Sequence, residues 1–178
     1  MDDQNPWKVN KKYKKYKKID QDLLNSAYFG NEQLVKKYIE KGGDINFMED
    51  RDGWKGIHYA SRWNNVNMLL HYIKAGCDLN CKTKNKETSL HKCARWDCKN
   101  CAIILLEKGA DPKIKNSDGD IPSNLTNNPE MKFLLDHYDE YKKIQKEEGI
   151  DNIRIIFSKE KKIIKSPIKE YINNKIIK

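Results

Sequence analysis

Two stretches, DGWKGIHYASRW at Asp52–Trp63 and NKETSLHKCARW at Asn85–Trp96, lie 33 residues apart and share one pattern. In each stretch a histidine follows a small and an apolar residue, and an Arg-Trp pair ends the segment. A third stretch, SDGDIPSNLT at 117–126, continues the same period. Similarity at a fixed period indicates a chain built from stacked copies of one supersecondary unit.

A second marker recurs with the first, as KGGDIN, AGCDLN and KGADPK. The segments 31–43, 65–76 and 100–110 each carry apolar residues at helical spacing and reach a glycine at or near their end. In the second of them we expect the apolar face to be Val66, Leu69, Leu70 and Ile73. Each repeat is therefore predicted to contain two antiparallel helices and a protruding turn, and stacking supplies the core.

The repeated pattern resembles the ankyrin repeat, whose motif T-P-L-H-x-A is followed by G-A-D. Here that motif reads KGIHYA at 55–60 and TSLHKC at 88–93. The resemblance implies an all-α solenoid of helix-turn-helix units with short hairpin-like turns over residues 20–138. We expect repeats at about 20–52, 53–85 and 86–118, a degenerate cap at 119–138, and terminal extensions at 1–19 and 139–178.

The net charge of +9 lies entirely in the two extensions. Residues 1–19 hold seven lysines and two acids, residues 20–138 are neutral, and residues 139–178 hold eleven bases and seven acids. Such basic ends attract acidic partners. Lysine outnumbers arginine 31 to 4, so genome composition remains an alternative source of the lysines. The charge-docking residues we predict are Lys11, Lys12, Lys14, Lys15, Lys17 and Lys18.

The lysine-rich segment also carries apolar side chains at every third position, Tyr13, Tyr16 and Ile19. Read as a helix, these residues form one face that caps the stack, while the lysines face solvent or an acidic partner. In the C-terminal extension, SPIKEYINNKIIK at 166–178 predicts a further helix with an isoleucine stripe. That stripe covers either the last repeat or a partner.

Catalytic and cofactor motifs are absent from the sequence: it has no phosphate-binding glycine loop and no H-E-x-x-H. We therefore expect a protein that is not an enzyme and needs no cofactor. His91, Cys93, Cys98 and Cys101 have the spacing of zinc ligands. The repeat register argues against zinc, because it gives His91 a loop hydrogen bond and makes Cys93 and Cys101 small buried side chains. No metal site is predicted.

In ankyrin repeats the two residues that end the first helix of each unit face a concave groove. The resemblance places Tyr28-Phe29, Arg62-Trp63 and Arg95-Trp96 there, and Trp54 on the turn side. Arginine and tryptophan are enriched at binding hot spots, and exposed aromatic clusters mark contact surfaces. A stacked Trp63 and Trp96 would form an aromatic strip, although packing between repeats is an alternative role. The predicted partner-binding residues are Tyr28, Phe29, Trp54, Arg62, Trp63, Arg95 and Trp96.

These observations favour a non-catalytic adaptor that binds another protein, acidic or part of a larger complex, through the groove. The alternative is a component of a nucleic-acid-containing or microtubule-type assembly held by the lysine-rich ends. No apolar stretch is long enough to span a membrane, no secretory leader is visible, and the cysteine number is odd. We therefore expect an intracellular location, cytoplasmic or nuclear.

Overall fold

The computed structural model describes residues 17–148 of the chain. This part is helical, and its strand-like pairing is limited to an isolated antiparallel bridge between Met48 and Lys55. The predicted all-α class is confirmed. The elements in chain order are α1 (Lys18–Tyr28), α2 (Glu32–Glu40), α3 (Gly56–Arg62), α4 (Val66–Lys74), α5 (Ser89–Arg95), α6 (Lys99–Glu107), a 3-10 helix (Pro122–Leu125), α7 (Pro129–Asp136) and α8 (Tyr138–Glu148).

The helices form two layers that run the length of the stack. An inner layer holds α1, α3, α5 and the 3-10 helix, and an outer layer holds α2, α4, α6 and α7. Each inner helix also packs on the outer helix that follows it in the chain. This arrangement is the predicted solenoid of helix-turn-helix units. None of the helices within residues 17–148 is long and apolar enough to cross a membrane.

The outer helices α2 and α4 begin at side-chain caps and end at left-handed turns. Asn31 and Asn65 accept hydrogen bonds from the backbone N–H groups of Leu34 and Met68, at 3.1 and 3.0 Å. These bonds satisfy donors that a helix start leaves free. After α4, Gly76 takes a φ of +83°, a conformation that suits glycine because it lacks a Cβ.

The turns that precede α3, α5 and the 3-10 helix are joined to one another by backbone hydrogen bonds at equivalent positions. Lys84 N–H donates to the Asp52 carbonyl at 2.9 Å, and Ser117 N–H donates to the Asn85 carbonyl at 2.9 Å. In both bonds the donor and the acceptor are 32 residues apart, so each bond links one turn to the turn of the next repeat. The turns therefore stack in register with the helices.

The buried face of α4 differs from the expected one. Met68, Leu69 and Tyr72 are buried, whereas Val66, Leu70 and Ile73 are only half-buried. The helix is covered by α3 as well as by α2 and α6, and these contacts centre its buried face between Met68 and Tyr72. Periodicity identified the helix but placed its most buried side wrongly, because several rotations fit the same apolar stripe.

The stack ends with a shortened repeat and one additional helix. In the fourth repeat a single 3-10 turn replaces the first helix, and α7 buries Met131, Phe133, Leu134 and Leu135. Helix α8 packs on α7 and buries Tyr141. The start of the C-terminal extension thus covers the last repeat. The isoleucine stripe predicted for 166–178 lies outside the described residues, as do Tyr13 and Tyr16.

Candidate partner-binding site

Three aromatic side chains occupy one structural position in consecutive repeats. Phe29, Trp63 and Trp96 are the residues that directly follow α1, α3 and α5. Their exposed fractions are 58%, 49% and 40%, which is high for side chains of this size. We refer to Phe29, Trp63 and Trp96 as the aromatic row.

The backbone reverses directly after each member of the aromatic row. Gly30, Asn64 and Asp97 have φ values of +71°, +50° and +53°. Asparagine and aspartate tolerate this left-handed conformation better than other residues with a Cβ. The side chains then reach the next repeat. Asn64 Oδ1 accepts the backbone N–H of Cys101 at 3.1 Å, and Asp97 Oδ2 accepts the side-chain amide of Asn128 at 2.8 Å. These bonds fix the turns that follow Trp63 and Trp96.

The guanidinium of Arg62, the last residue of α3, lies over three indole rings. Its Cζ is 5.2 Å from the ring centroid of Trp63, 5.3 Å from Trp96 and 6.0 Å from Trp54. The ring of Trp96 packs edge-on against Trp54, with centroids 5.9 Å apart. Within residues 17–148, Trp63 and Trp96 are therefore linked through Arg62. The expectation that these two rings stack on each other was wrong.

Aromatic contacts continue from this cluster to the first repeat. Trp54 packs on Tyr59 with centroids 4.9 Å apart, and Tyr59 contacts Tyr28 at 5.4 Å. Tyr28 in turn meets Phe29 edge-on at 5.0 Å, while its carbonyl accepts the indole N–H of Trp63 at 3.0 Å. The result is one continuous aromatic cluster across three repeats. Edge-to-face aromatic pairs each add about 0.5–1.5 kcal/mol beyond area burial.

A buried charge network supports the tryptophans. Lys92 places its ammonium 3.9 Å from the ring centroid of Trp54 and pairs with Glu87, which also pairs with Arg95. The side chains of Lys92 and Glu87 are only 4% and 8% exposed. Burial lowers the pKa of Lys92, and the Glu87 carboxylate opposes that shift. Burial alone would raise the pKa of Glu87, but hydrogen bonds from Lys92 and Arg95 bring it below its ordinary value.

The motif histidines connect each repeat to the next turn. His58 Nδ1 accepts the backbone N–H of Lys55 at 3.0 Å, so its Nε2 carries the proton and donates to the Cys81 carbonyl at 3.1 Å. Burial lowers the pKa of His58 to about 4. A neutral ring is the form that both bonds require.

The repeat pattern and the two-layer stack agree with a comparison against known families. A family model described as ankyrin repeats, in three copies, matches residues 23–116. The chain belongs to the ankyrin-repeat family. Ankyrin repeats mediate binding between proteins and are generally non-catalytic.

Relatives of this ankyrin chain include much longer proteins. SH3 and multiple ankyrin repeat domains protein 2 of Homo sapiens is 34% identical over 74 residues, which are 42% of this chain and 4% of that protein. Ankyrin repeat and SOCS box protein 3 of Bos taurus is 39% identical over 90 residues, 49% of this chain and 17% of that protein. Ankyrin repeat domain-containing protein OPG023 of cowpox virus is 35% identical over 106 residues, 58% of this chain and 15% of that protein. The chain thus spans less than a fifth of the length of each.

The structure brings the predicted partner-binding residues together on these ankyrin repeats. Arg95 differs from the others because its guanidinium is bound to Glu87. The residues of this surface are Tyr28, Phe29, Trp54, Arg62, Trp63, Arg95 and Trp96. Of the predicted charge-docking lysines, Lys17 and Lys18 lie exposed at the start of α1. Lys11, Lys12, Lys14 and Lys15 lie outside the described residues.

Sequence reasoning missed two residues that hold the tryptophans in place. Tyr59 and Lys92 occupy the same ankyrin motif position, 33 residues apart, and both pack on Trp54. Both are buried. Their sequence positions could have indicated this role. Both are large side chains at the variable position of T-P-L-H-x-A, and each lies on the helix that also carries an Arg-Trp pair.

The zinc-like spacing in α5 and α6 does not correspond to a cluster. One ring nitrogen of His91 accepts a hydrogen bond from the Thr88 N–H, and the other donates one to the Asp120 carbonyl, both at 3.1 Å. Cys93 and Cys101 are buried, and burial raises the pKa of Cys101 to about 12. Across residues 17–148, no group of three or more His, Cys, Asp or Glu side chains could hold a metal ion. All five cysteines are free thiols.

Proposed function

We propose that this chain is a non-catalytic adaptor that binds a partner protein along the aromatic row and the adjoining Arg62 and Trp54. The observation that carries the proposal is the repetition of an exposed aromatic side chain at one position in three consecutive repeats. Packing between repeats does not require this exposure. An extended surface of large rings at regular spacing suits a partner segment that runs across the repeats.

The preorganised state of the surface supports the same function. Trp63 is held by its hydrogen bond to the Tyr28 carbonyl, and Trp96 is held by Trp54 and Arg62. Binding to fixed side chains costs less conformational entropy than binding to mobile ones. The rings can therefore contribute most of their contact energy to a complex.

The basic ends are proposed to add electrostatic attraction. Lys17 and Lys18 are exposed at the start of α1, and the rest of the lysine-rich segment precedes them in the chain. We propose that this segment docks on an acidic surface of the partner. A nucleic-acid-containing assembly is the second candidate, favoured by the concentration of the +9 net charge in the two ends.

Alanine substitution at both exposed tryptophans tests the proposal. The Trp63→Ala/Trp96→Ala chain and the wild type are each used as bait in a native lysate, with and without nuclease, and the captured proteins are compared. We expect proteins captured by the wild type to be depleted roughly tenfold or more in the double variant, as for hot-spot residues. The helical circular dichroism should remain near that of the wild type.

Leu34→Ala is the matched control, because Leu34 is an exposed apolar residue on the outer helix α2. It should leave the captured set unchanged. Equal capture by the double variant and the wild type would refute the assignment of the aromatic row. Unfolding of the double variant would show instead that the tryptophans serve the core. Loss of all captured proteins upon nuclease treatment would favour the second candidate.

A further inference from the structure

Arg62 differs from the other charged groups of the site in having no carboxylate partner within residues 17–148. We propose that Arg62 is the specificity-determining residue of the surface and binds a carboxylate side chain of the partner. This inference rests on the proposed function. The partner is then an acidic peptide segment whose apolar neighbours lie on the aromatic row.

The geometry of the guanidinium supports this role. Arg62 lies over the rings of Trp54, Trp63 and Trp96, at 5.2–6.0 Å from their centroids. A guanidinium attracts aromatic rings with its faces and donates hydrogen bonds in its plane. Contact with the rings therefore holds the guanidinium in place and leaves its N–H groups available to an acceptor. Two parallel N–H groups match the two oxygens of a carboxylate.

The neighbouring charges leave the site attractive to an anion. The carboxylate of Glu87 is bound by both Lys92 and Arg95, and the carboxylate of Asp52 is paired with Arg51 at 2.8 Å. Glu49 accepts the backbone N–H of Asp52 at 3.2 Å, and burial raises the pKa of Glu49. Glu49, Asp52 and Glu87 thus each have an internal partner. Glu49, Asp52 and Glu87 are balanced in formal charge by Arg51, Lys92 and Arg95, so the net positive charge of this group of residues is that of Arg62.

The surroundings select a carboxylate flanked by apolar groups. Trp63 and Trp96 lie on either side of the Arg62 contact and are about half exposed. Side chains that follow an acidic residue in an extended segment would cover these indoles and exclude water from the ion pair. Exclusion of water strengthens the attraction between the charges. The occupant we infer is therefore an Asp or Glu between apolar residues.

Peptide pools test this inference with the full chain. Each pool holds 12-residue peptides with one fixed central residue, namely Glu, Gln, Lys or phosphoserine, and uncharged random residues elsewhere. The chain is immobilised and the bound peptide is quantified at 0.15 M salt. We expect capture of the Glu pool to exceed that of the Gln pool about tenfold, the scale of one charge-assisted hydrogen-bonded pair.

Arg62→Gln should bring the Glu and Gln pools within about twofold of each other. Arg62→Lys should retain only part of the preference, because lysine lacks the planar fork. Lys74→Gln removes one exposed positive charge from α4 and should leave the preference intact. Circular dichroism melting of each variant shows whether it is folded.

Four outcomes would overturn the inference: equal capture of the Glu and Gln pools by the wild type, a Glu preference that persists in Arg62→Gln, stronger capture of the phosphoserine or Lys pool, or capture of none of the pools. A preference that survives in Arg62→Gln would place the acidic contact on the lysine-rich ends. The proposed function fails separately, if Trp63→Ala/Trp96→Ala captures every pool as well as the wild type does.

Discussion

The phenol group of Tyr72 occupies the space in which a side chain on Gly56 would begin. A Cβ built on Gly56 would lie well inside van der Waals contact with the Tyr72 hydroxyl and ring. Gly56 is the first residue of α3, and Tyr72 is on α4 of the same repeat. One repeat later, Ser89 and Leu105 stand at the equivalent positions, so the pair is particular to this repeat.

Gly56→Ala should therefore destabilise the chain by about 3 kcal/mol, the upper part of the usual range for overpacking. In a Tyr72→Leu background the same change should be neutral or stabilising by up to about 1 kcal/mol, because alanine favours helix more than glycine does. Urea unfolding followed by circular dichroism gives both values. Ser89→Ala is the control and should cost little, since the buried Ser89 hydroxyl has no hydrogen-bond partner within the described part of the chain. An equal cost of Gly56→Ala in both backgrounds would disprove the coupling.

Glu87→Gln should destabilise the chain by roughly 3 kcal/mol, because it leaves the buried ammonium of Lys92 without its counter-charge. Adding Lys92→Met should recover part of that loss, since no buried charge then remains. Chemical unfolding of the three chains measures the difference. If Glu87→Gln and the double variant were equally unstable, the carboxylate would act through packing instead of through its charge.

Acid should weaken the stack through His58. The folded pKa of about 4 lies below the ordinary value near 6.5, so the neutral ring is favoured by folding. The stabilisation is present above about pH 6.5 and is lost as the pH falls toward 4, by roughly 3 kcal/mol in all. Protonation would place a hydrogen on Nδ1 facing the Lys55 N–H. Unfolding measured from pH 7 to 4.5 should show this loss.

His58→Gln should be less stable at neutral pH but should lose less stability over the same range. His91, whose pKa burial also lowers, still contributes to the remaining slope. Parallel pH profiles for the wild type and His58→Gln would rule out His58 as the group responsible.

Replacement of the six lysines between residues 11 and 18 by glutamine should reduce partner affinity mainly at low salt. The Debye length falls from roughly 10 Å at 0.1 M to roughly 3 Å at 1 M, so high salt should remove the difference from the wild type. Isothermal titration across a salt series measures it. A log-log salt slope steeper than about −4 would instead support a nucleic-acid partner. Tyr13→Ala/Tyr16→Ala is the control, and if those tyrosines cap the stack it should lower stability at every salt concentration.

The residues of the candidate site were chosen from the sequence, but their arrangement was not predicted. The Arg-Trp pairs could be recognised because they end the inner helices at a fixed place in the repeat. The guanidinium of Arg62 contacts indoles from three parts of the chain, at positions 54, 63 and 96. Such contacts depend on how neighbouring repeats stack, which local spacing does not encode.

The sequence by itself determined the repeat unit, its two helices, the all-α class and the ends of the inner helices. These properties follow from local periodicity and turn chemistry, which recur every 33 residues in the chain. Only the tertiary structure decided which face of α4 is most buried, and that Tyr72 fills the space beside Gly56. It also decided that Lys92 and Glu87 form a buried pair beneath Trp54. These features depend on side-chain volume and charge from several repeats packed at once, and close packing leaves room for one arrangement.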